Sequence, residues 1–289
     1  MITASSVSRH ACAEVRQGET GTAATRWSGP LVIGATGGSG TRVLVDIIQV
    51  AGGFMGANLR PTNDSRAFGP FCQRWVRPYI TRHRKPLAEE TWRAMREDLR
   101  LCVQEHIAEL HAGAPFWGWK NPPNVYLVPF LHEQYPALRF IHVVRDGRDM
   151  AFSDNQNQLK RFGDAVLGRP PLGLLRLTRA VAPKLAWPDP RRSIALWSTI
   201  NVEAADFGEQ VLKENYLRVR FEDLCTHTVD TVRRILSFVG SGEPYVTQAA
   251  ACVAAPPTIG RWQQQRQRTI ATVCEVGQPG LERFSYLAA

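Results

Sequence analysis

Residues Leu31-Val32-Ile33-Gly34-Ala35-Thr36-Gly37-Gly38-Ser39-Gly40-Thr41-Arg42 decide how this chain is read. A short apolar run meets a turn of small residues. Leu44, Ile47 and Ile48 then recur at helical spacing, and Gly52-Gly53 closes the run. The pattern is strand, glycine turn, helix. Glycines let backbone N–H groups approach an anion, and the helix start turns its positive end toward the same point. The bland alternative is an ordinary strand-to-helix turn built of small residues.

A second unit of the same kind follows. Phe140-Ile141-His142-Val143-Val144 reads as a strand and runs straight into Arg145-Asp146-Gly147-Arg148-Asp149. One chain therefore offers two anion sites at two strand ends. An arginine at the carboxyl end of a strand, beside a helix start, can fork onto a phosphate. Ser153, one to two turns on, adds a hydroxyl donor. The competing readings are a surface ion pair of Arg145 with Asp146 or Asp149, and a solvated helix position for Ser153. His142, inside the apolar strand, reads as core.

The first loop approaches a nucleoside-triphosphate loop and fails it. That motif places Lys and then Ser or Thr right after its last glycine. Here Gly40 is followed by Thr41 and Arg42. The lysine for the terminal phosphates is missing, and so is the hydroxyl that would hold magnesium. The reading is an anion, with no metal bound in that way.

At 289 residues the chain can bury a large core, and it reads as a single domain over residues 29–289. Residues 1–28 are rich in Ala, Ser, Thr and Gly without the apolar centre of a secretory signal, so a flexible arm is expected there. No run approaches the ~20 apolar residues of a membrane helix. Six cysteines are scattered without a C-x-x-C pair, which suggests neither zinc nor a disulfide framework and fits a cytoplasmic setting. The formal charge is +9, from 30 Arg and only 5 Lys. A basic surface suits an anionic ligand and would also suit nucleic acid. The tryptophans, however, fall at core-like positions and form no basic-aromatic stripe, so no nucleic-acid partner is expected. With so few lysines each one is conspicuous. Lys85, Lys160, Lys184 and Lys213 have polar or proline-rich neighbours and look like surface. Lys120 lies in Phe116-Trp117-Gly118-Trp119-Lys120-Asn121-Pro122-Pro123, between tryptophans and prolines.

Residues 54–70 read as irregular. A long helix is expected over 87–111, a short strand at Trp117–Lys120 and a helix at Val125–Tyr135. A helix over 193–213 carries Trp197, Ile200, Ala204 and Val211 on one stripe. Tyr216–Phe221 is a strand, Thr228–Val239 a helix, and the tail from Pro256 a loop bearing a small basic cluster. This alternation predicts an α/β fold, with a central parallel sheet flanked by helices and both anion loops on its carboxyl edge. Residues 155–192, rich in Pro and Gly, break the pattern. Together with 54–115 they read as segments that shape a substrate pocket.

At this point a family pattern is legible. Gly37-Gly38-Ser39-Gly40-Thr41-Arg42 resembles the 5′-phosphosulfate loop of sulfotransferases that use 3′-phosphoadenosine 5′-phosphosulfate (PAPS). The segment from Val143 to Ser153 resembles that family's 3′-phosphate motif, with Arg145 and Ser153 at the matching spacing. Arg218-Val219-Arg220-Phe221-Glu222-Asp223-Leu224 looks like its strand-end Arg-Tyr-Glu-Asp-Leu segment, with Phe221 in place of Tyr. Gly260-Arg261-Trp262 is similar to the C-terminal basic loop that closes over the nucleotide. The matches keep family order from about residue 31 to 270. The resemblance implies a P-loop NTPase-like sulfotransferase fold, PAPS as co-substrate, and no metal. The acceptor would be a small molecule, carbohydrate, lipid or peptide carrying a hydroxyl or amine.

The resemblance also implies roles. Trp119-Lys120-Asn121-Pro122 matches a segment whose lysine approaches the bridging oxygen, so Lys120 becomes the cation for the leaving phosphate. Aromatic neighbours would dehydrate it and lower its pKa. Many members carry a basic residue where Gly38 stands, which shifts the load to Lys120 or Arg42. Some branches place an acidic residue or histidine a few tens of residues beyond the first loop. Asp64, in Arg60-Pro61-Thr62-Asn63-Asp64-Ser65, stands there and is the candidate base, with an Asx turn or helix cap as its bland reading. Glu89, Glu90, His83, His106, His111 and His132 are weaker rivals. The competing functions are a nucleotide kinase or NTPase with a degenerate loop, and a non-catalytic nucleotide- or RNA-binding protein.

Overall fold

The computed structural model describes residues 29–168 and 189–287. The expected arm at 1–28, and residues 169–188 of the expected pocket segment, lie outside the described residues. Four strands form one sheet: β1 (Leu31–Ala35), β2 (Gly118–Lys120), β3 (Arg139–Val144) and β4 (Tyr216–Arg220). Every pairing is parallel and the order is β2-β1-β3-β4. β1 is buried along its whole length, as befits a strand covered on both faces. Ile33 pairs with Lys120 on one side, and Ala35 with Val143 on the other. From β1 the chain reaches β2 on one side, then crosses to β3 on the opposite side. That reversal opens a crevice at the carboxyl ends, next to β1.

Side-chain alternation sorts the core into two layers. Leu31, Ile33, Ile141, Val143 and Val219 face α1 (Arg42–Val50) and a helix at Thr228–Phe238. Leu44, Ile47 and Ile48 on α1 are buried as their spacing predicts. Each such side chain contributes about 1.5–3 kcal/mol when fully covered. On the other face, Val32, Trp119 and Phe140 meet α2 (Phe68–Thr81), α3 (Glu89–Ile107) and α4 (Val128–Gln134). His142 belongs to this interior. Asn201 Oδ1 lies 2.9 Å from its Nε2 and the Tyr216 hydroxyl 2.9 Å from Nδ1. The Asn201 amide already donates to Trp197 O, so Nε2 carries the proton and Nδ1 accepts. Burial holds the His142 pKa down to about 4.

Helices occur where the letters argue against them. α2 lies in a stretch with no expected helix beyond residue 70, and Pro78 sits inside it. Its buried residues Phe68, Phe71, Cys72, Trp75, Val76 and Tyr79 nevertheless keep helical spacing. Residues 155–192 begin with α5 (Gly147–Ala151) behind them and include α6 (Asn157–Leu167), whose Phe162 and Ala165 join the core. α7 (Pro190–Phe207) ends before Val211, which is exposed instead of lying on the apolar stripe. After α8 (Phe221–Thr226), α9 (Thr228–Phe238) and α10 (Val246–Ala250), the expected terminal loop contains α11, Gln267–Arg283. Gly277, Pro279 and Gly280 disguise it. The glycines let it press onto α7: a Cβ on Gly277 would sit 2.4 Å from Ile194, and one on Gly280 2.6 Å from Trp197. No helix among the described residues is long and apolar enough to cross a membrane.

Candidate active site

The turn after β1 has a backbone that could cradle an anion. Gly38 and Gly40 have φ of +88° and +78°, in the region only glycine enters without cost. A Cβ on Gly40 would lie 2.1 Å from the Phe221 ring, so that ring closes against the loop. Ser39 is buried and donates its hydroxyl to Thr36 O at 2.7 Å. Its hydrogen braces the turn and is not available to a ligand. The amides are different. Among the described residues, no backbone N–H from Gly37 to Arg42 finds a protein acceptor. A run of unpaired amides at a helix start is the fixed dipole pattern that binds anions.

Beside it, Arg145 leaves the end of β3 and is 5% exposed. Its Nη1 reaches Gly38 O at 3.4 Å, and its guanidinium lies 5.4 Å over the Phe221 ring. Nη2 donates to Thr258 O at 2.6 Å and to Asp149 at 3.2 Å. Nε is buried and finds no partner among the described residues. Such an orphaned charged donor is costly unless an acceptor completes it. Ser153 stands at the same place, its Oγ 3.7 Å from the position of a Cβ on Gly38. That oxygen accepts from Asn155 N, which leaves the hydroxyl hydrogen free to donate outward.

The C-terminal loop folds onto this centre. Gly260 N and Trp262 N donate to the Asp149 carboxylate at 2.9 and 3.3 Å. Arg261 donates to Thr258 O. Burial holds the Arg261 pKa below its ordinary value, and the neighbouring Arg145 charge adds to that. The Arg148 guanidinium stacks 3.9 Å from the centroid of Trp262. Asp146 caps α5 by accepting from Arg148 N and also binds that guanidinium. So Arg145 does pair with Asp149, but inside the protein and not on its surface.

Across β1, Lys120 ends β2 and is 2% exposed. Strand alternation turns Trp119 to the opposite face, stacked on Phe68 with ring centroids 4.2 Å apart. The expected aromatic cage is therefore not what dries Lys120. The 60–65 turn does so: Lys120 Nζ donates to Asp64 Oδ1 at 2.6 Å and to Thr62 O at 2.7 Å. Ser65 N donates to Lys120 O, which pins the turn to the strand. One ammonium hydrogen remains. Burial lowers the Lys120 pKa, and Asp64 only partly restores it. Asp64 Oδ2 accepts from the Thr62 hydroxyl at 2.6 Å, so both carboxylate oxygens are engaged.

Asp46, on α1, was not singled out by sequence. Its one legible signal is a charge interrupting the apolar run of that helix. Asn63, at φ +60°, donates to Asp46 at 2.9 Å and to Arg42 O at 3.2 Å. Burial raises the Asp46 pKa against the pull of Asn63, Arg42 and Lys120. The sequence offers the pairing of Arg145 with Asp149 as a surface alternative. Thr258 as a second partner, and the reach of Asp149 to Gly260 and Trp262, were missed because those contacts join residues more than a hundred positions apart. Two of the rival bases have other occupations. Glu89 pairs with Arg96 at 2.5 Å on the exposed start of α3. His106 is locked between Ser65 Oγ and Gly118 O, and burial lowers its pKa. A cavity of about 470 Å³ between α2 and α7, lined by Tyr79, Arg82, Tyr126, Ile200 and Glu203 among others, contains none of the strand-end site residues.

Comparison with known proteins now bears on the same segments. A family model described as "Sulfotransferase family" matches residues 30–242. The chain belongs to the sulfotransferase family. Its match spans β1 through α9 and so includes the glycine turn, Lys120, Arg145 and Phe221. Among solved structures, sulfotransferase STF9 of Mycobacterium avium is 11% identical, covering 89% of this chain and 77% of its own, with a TM-score of 0.50. This likeness shows the fold, a parallel sheet flanked by helices with a P-loop-like first turn. A sulfotransferase domain from the curacin biosynthetic pathway is 14% identical, with 92% of this chain and 100% of that one covered and a TM-score of 0.45. Retinol dehydratase, solved with androsterone and the inactive cofactor PAP, is 13% identical, with 88% and 80% covered and a TM-score of 0.43. No curated protein matches the chain in sequence.

Proposed function

We propose that this family member moves a sulfuryl group from PAPS to a hydroxyl or amine acceptor by in-line displacement. One observation carries the reading. Two buried cations, Lys120 and Arg145, follow the strands on either side of β1, and the unpaired amides of the glycine turn lie between them. A nucleotide charged at both its 3′ and 5′ ends fits that spacing of positive groups. The partnerless Nε of Arg145 supports an anion at the 3′ end.

In this reading Gly37, Gly38, Ser39, Gly40, Thr41 and Arg42 hold the 5′-phosphosulfate, chiefly through backbone N–H groups. Arg145 and the free Ser153 hydroxyl hydrogen take the 3′-phosphate. Phe221, Gly260, Arg261 and Trp262 enclose the nucleotide. PAPS supplies a sulfuryl group on a good leaving phosphate. Lys120 turns its remaining hydrogen to the leaving oxygen, and its dry surroundings strengthen that field. Asp64 holds Lys120 in place and serves as the base that takes the acceptor's proton. A second reading gives the proton to Asp46, because its raised pKa suits a base better than a carboxylate already bound on both oxygens.

The acceptor enters beside the 54–66 segment in this account, without a metal, and the kinase reading loses ground because the loop lacks its lysine. The test is calorimetry with 3′,5′-ADP and with ATP plus magnesium, followed by mass spectrometry of sulfated products over a panel of phenol, sugar, lipid and peptide acceptors. Micromolar 3′,5′-ADP binding with product formation is expected. Binding of ATP–magnesium alone would overturn it.

A further inference from the structure

We infer that Asp149 is the positioning residue of the nucleotide site, setting the Arg145 guanidinium and the C-terminal loop with one carboxylate. The inference rests on the donor reading above and adds a residue that the motif roles leave unassigned. Asp149 is 1% exposed. Its Oδ2 accepts from Arg145 Nη2 at 3.2 Å and from Gly260 N at 2.9 Å, and its Oδ1 accepts from Trp262 N at 3.3 Å. Residues 260 and 262 lie more than a hundred positions away in the chain, so their amides reach this carboxylate only through the tertiary fold.

The charge balance explains why a carboxylate is needed. Arg145 and Arg261 repel each other at close range, and Arg148 stands over Trp262. Without a nucleotide, three cations would meet around one loop. Among the described residues, Asp146 binds Arg148, Asp149 binds Arg145 and the loop amides, and Asp154 acts on Arg261 without a hydrogen bond to it. Asp149 thus supplies the one negative charge shared by Arg145 and the loop. It accepts through both oxygens, so an amide in its place must turn an N–H₂ group toward at least one donor. Thr258 closes the arrangement, since its carbonyl and hydroxyl receive Arg145 Nη2 at 2.6 and 3.1 Å. What remains of Arg145 for a ligand is the partnerless Nε and the outer edge of Nη1. Asp149 therefore decides which edge of the guanidinium faces a phosphate, and it brings the loop to the same phosphate in advance. Ordering the loop before binding removes an entropy cost from the binding step.

The experiment compares wild type with Asp149→Asn in the full chain. Calorimetry with 3′,5′-ADP should show at least a tenfold weaker affinity, and KM for PAPS should rise to match. Turnover at saturating PAPS and KM for the acceptor should each stay within threefold. A purely structural role would not split the constants that way. Amide exchange on the nucleotide-free proteins supplies the second readout. In wild type the Gly260 and Trp262 amides should be protected, and in the variant that protection should fall while exchange in β1 and β3 stays unchanged. If the variant does not fold, Thr258→Val, which removes one Arg145 contact, should weaken 3′,5′-ADP binding alone. Unchanged affinity and unchanged loop protection in Asp149→Asn overturn the inference, as does unprotected loop exchange in wild type. Failure of wild type to bind 3′,5′-ADP at all sinks the donor reading itself, and is seen separately from the variant.

Discussion

The ends of β2 and β3 use the same device, a buried cation held by an aspartate, but they build it differently. Lys120 is held by a turn 56 residues earlier in the chain, and that turn hydrogen-bonds to the strand bearing the lysine. Arg145 is held by Asp149 one helical turn on, and by a loop beyond residue 256. A lysine gains and loses its proton as its surroundings change, whereas an arginine keeps its charge throughout. The movable charge stands where chemistry is proposed, and the permanent one where a phosphate is to be gripped. The pairing teaches that burial alone does not assign a role; the choice of cation does.

Removing each cation is the sharpest way to break this comparison. Lys120→Ala should lower kcat by about 10²–10³-fold, the usual loss of one preorganised charge, while 3′,5′-ADP affinity moves little. Arg145→Ala should do the reverse and cost about 10–100-fold in nucleotide affinity, as expected for hydrogen bonds to a charged group. Steady-state kinetics with calorimetry separates the two. Equal losses from both variants would erase the distinction drawn between the strand ends.

The next test is finer. Burial lowers the Lys120 pKa and Asp64 raises it back in part. Turnover that needs the ammonium should therefore fall on an alkaline limb below the ordinary lysine value. Asp64→Asn removes the raising partner, so the limb should move to still lower pH. A limb that does not move in a pH–kcat profile would separate Asp64 from Lys120. If Asp64→Asn keeps turnover at its pH optimum and Asp46→Asn loses it, the proton goes to Asp46.

Away from the site, His142 couples the same sheet to acid stability. Its folded pKa of about 4 lies below the ordinary 6.5, so the unfolded chain binds the extra proton. Its contribution is complete above pH 6.5 and fades as pH falls toward 4, by up to about 3 kcal/mol. Urea unfolding of wild type and His142→Gln at pH 7 and pH 4.5 should show a smaller pH dependence in the variant. The smallest effect is expected at Gly280→Ala. Its methyl meets Trp197 and Ser198 and should cost about 1–3 kcal/mol in the same assay.

Much of this is legible in the amino-acid order alone. The β1 turn announced itself because apolar residues, glycines and a helical period lie side by side in sequence. Lys120 stood out because lysine is scarce in this chain. Arg145 stood out at the end of an apolar strand, and Ser153 by the spacing of the family motif, although Ser153 lies just past the end of α5 and not inside a helix. α11 stayed hidden because Gly277, Pro279 and Gly280 break local propensity, and only packing against α7 repays them. α2 was hidden by Gly69, Pro70 and Pro78, although its apolar spacing was there to be counted.

Local order therefore followed from the chain's own alternation of strand, turn and helix, since those rules act over a few neighbours. Which faces met, and what dried Lys120, did not. The tryptophan beside it points away, and a carboxylate from a distant turn takes the ammonium instead. Asp149's hold on Gly260 and Trp262 is of the same kind. Contacts between residues far apart in the chain leave no periodic trace, because they depend on how the sheet and helices pack in space.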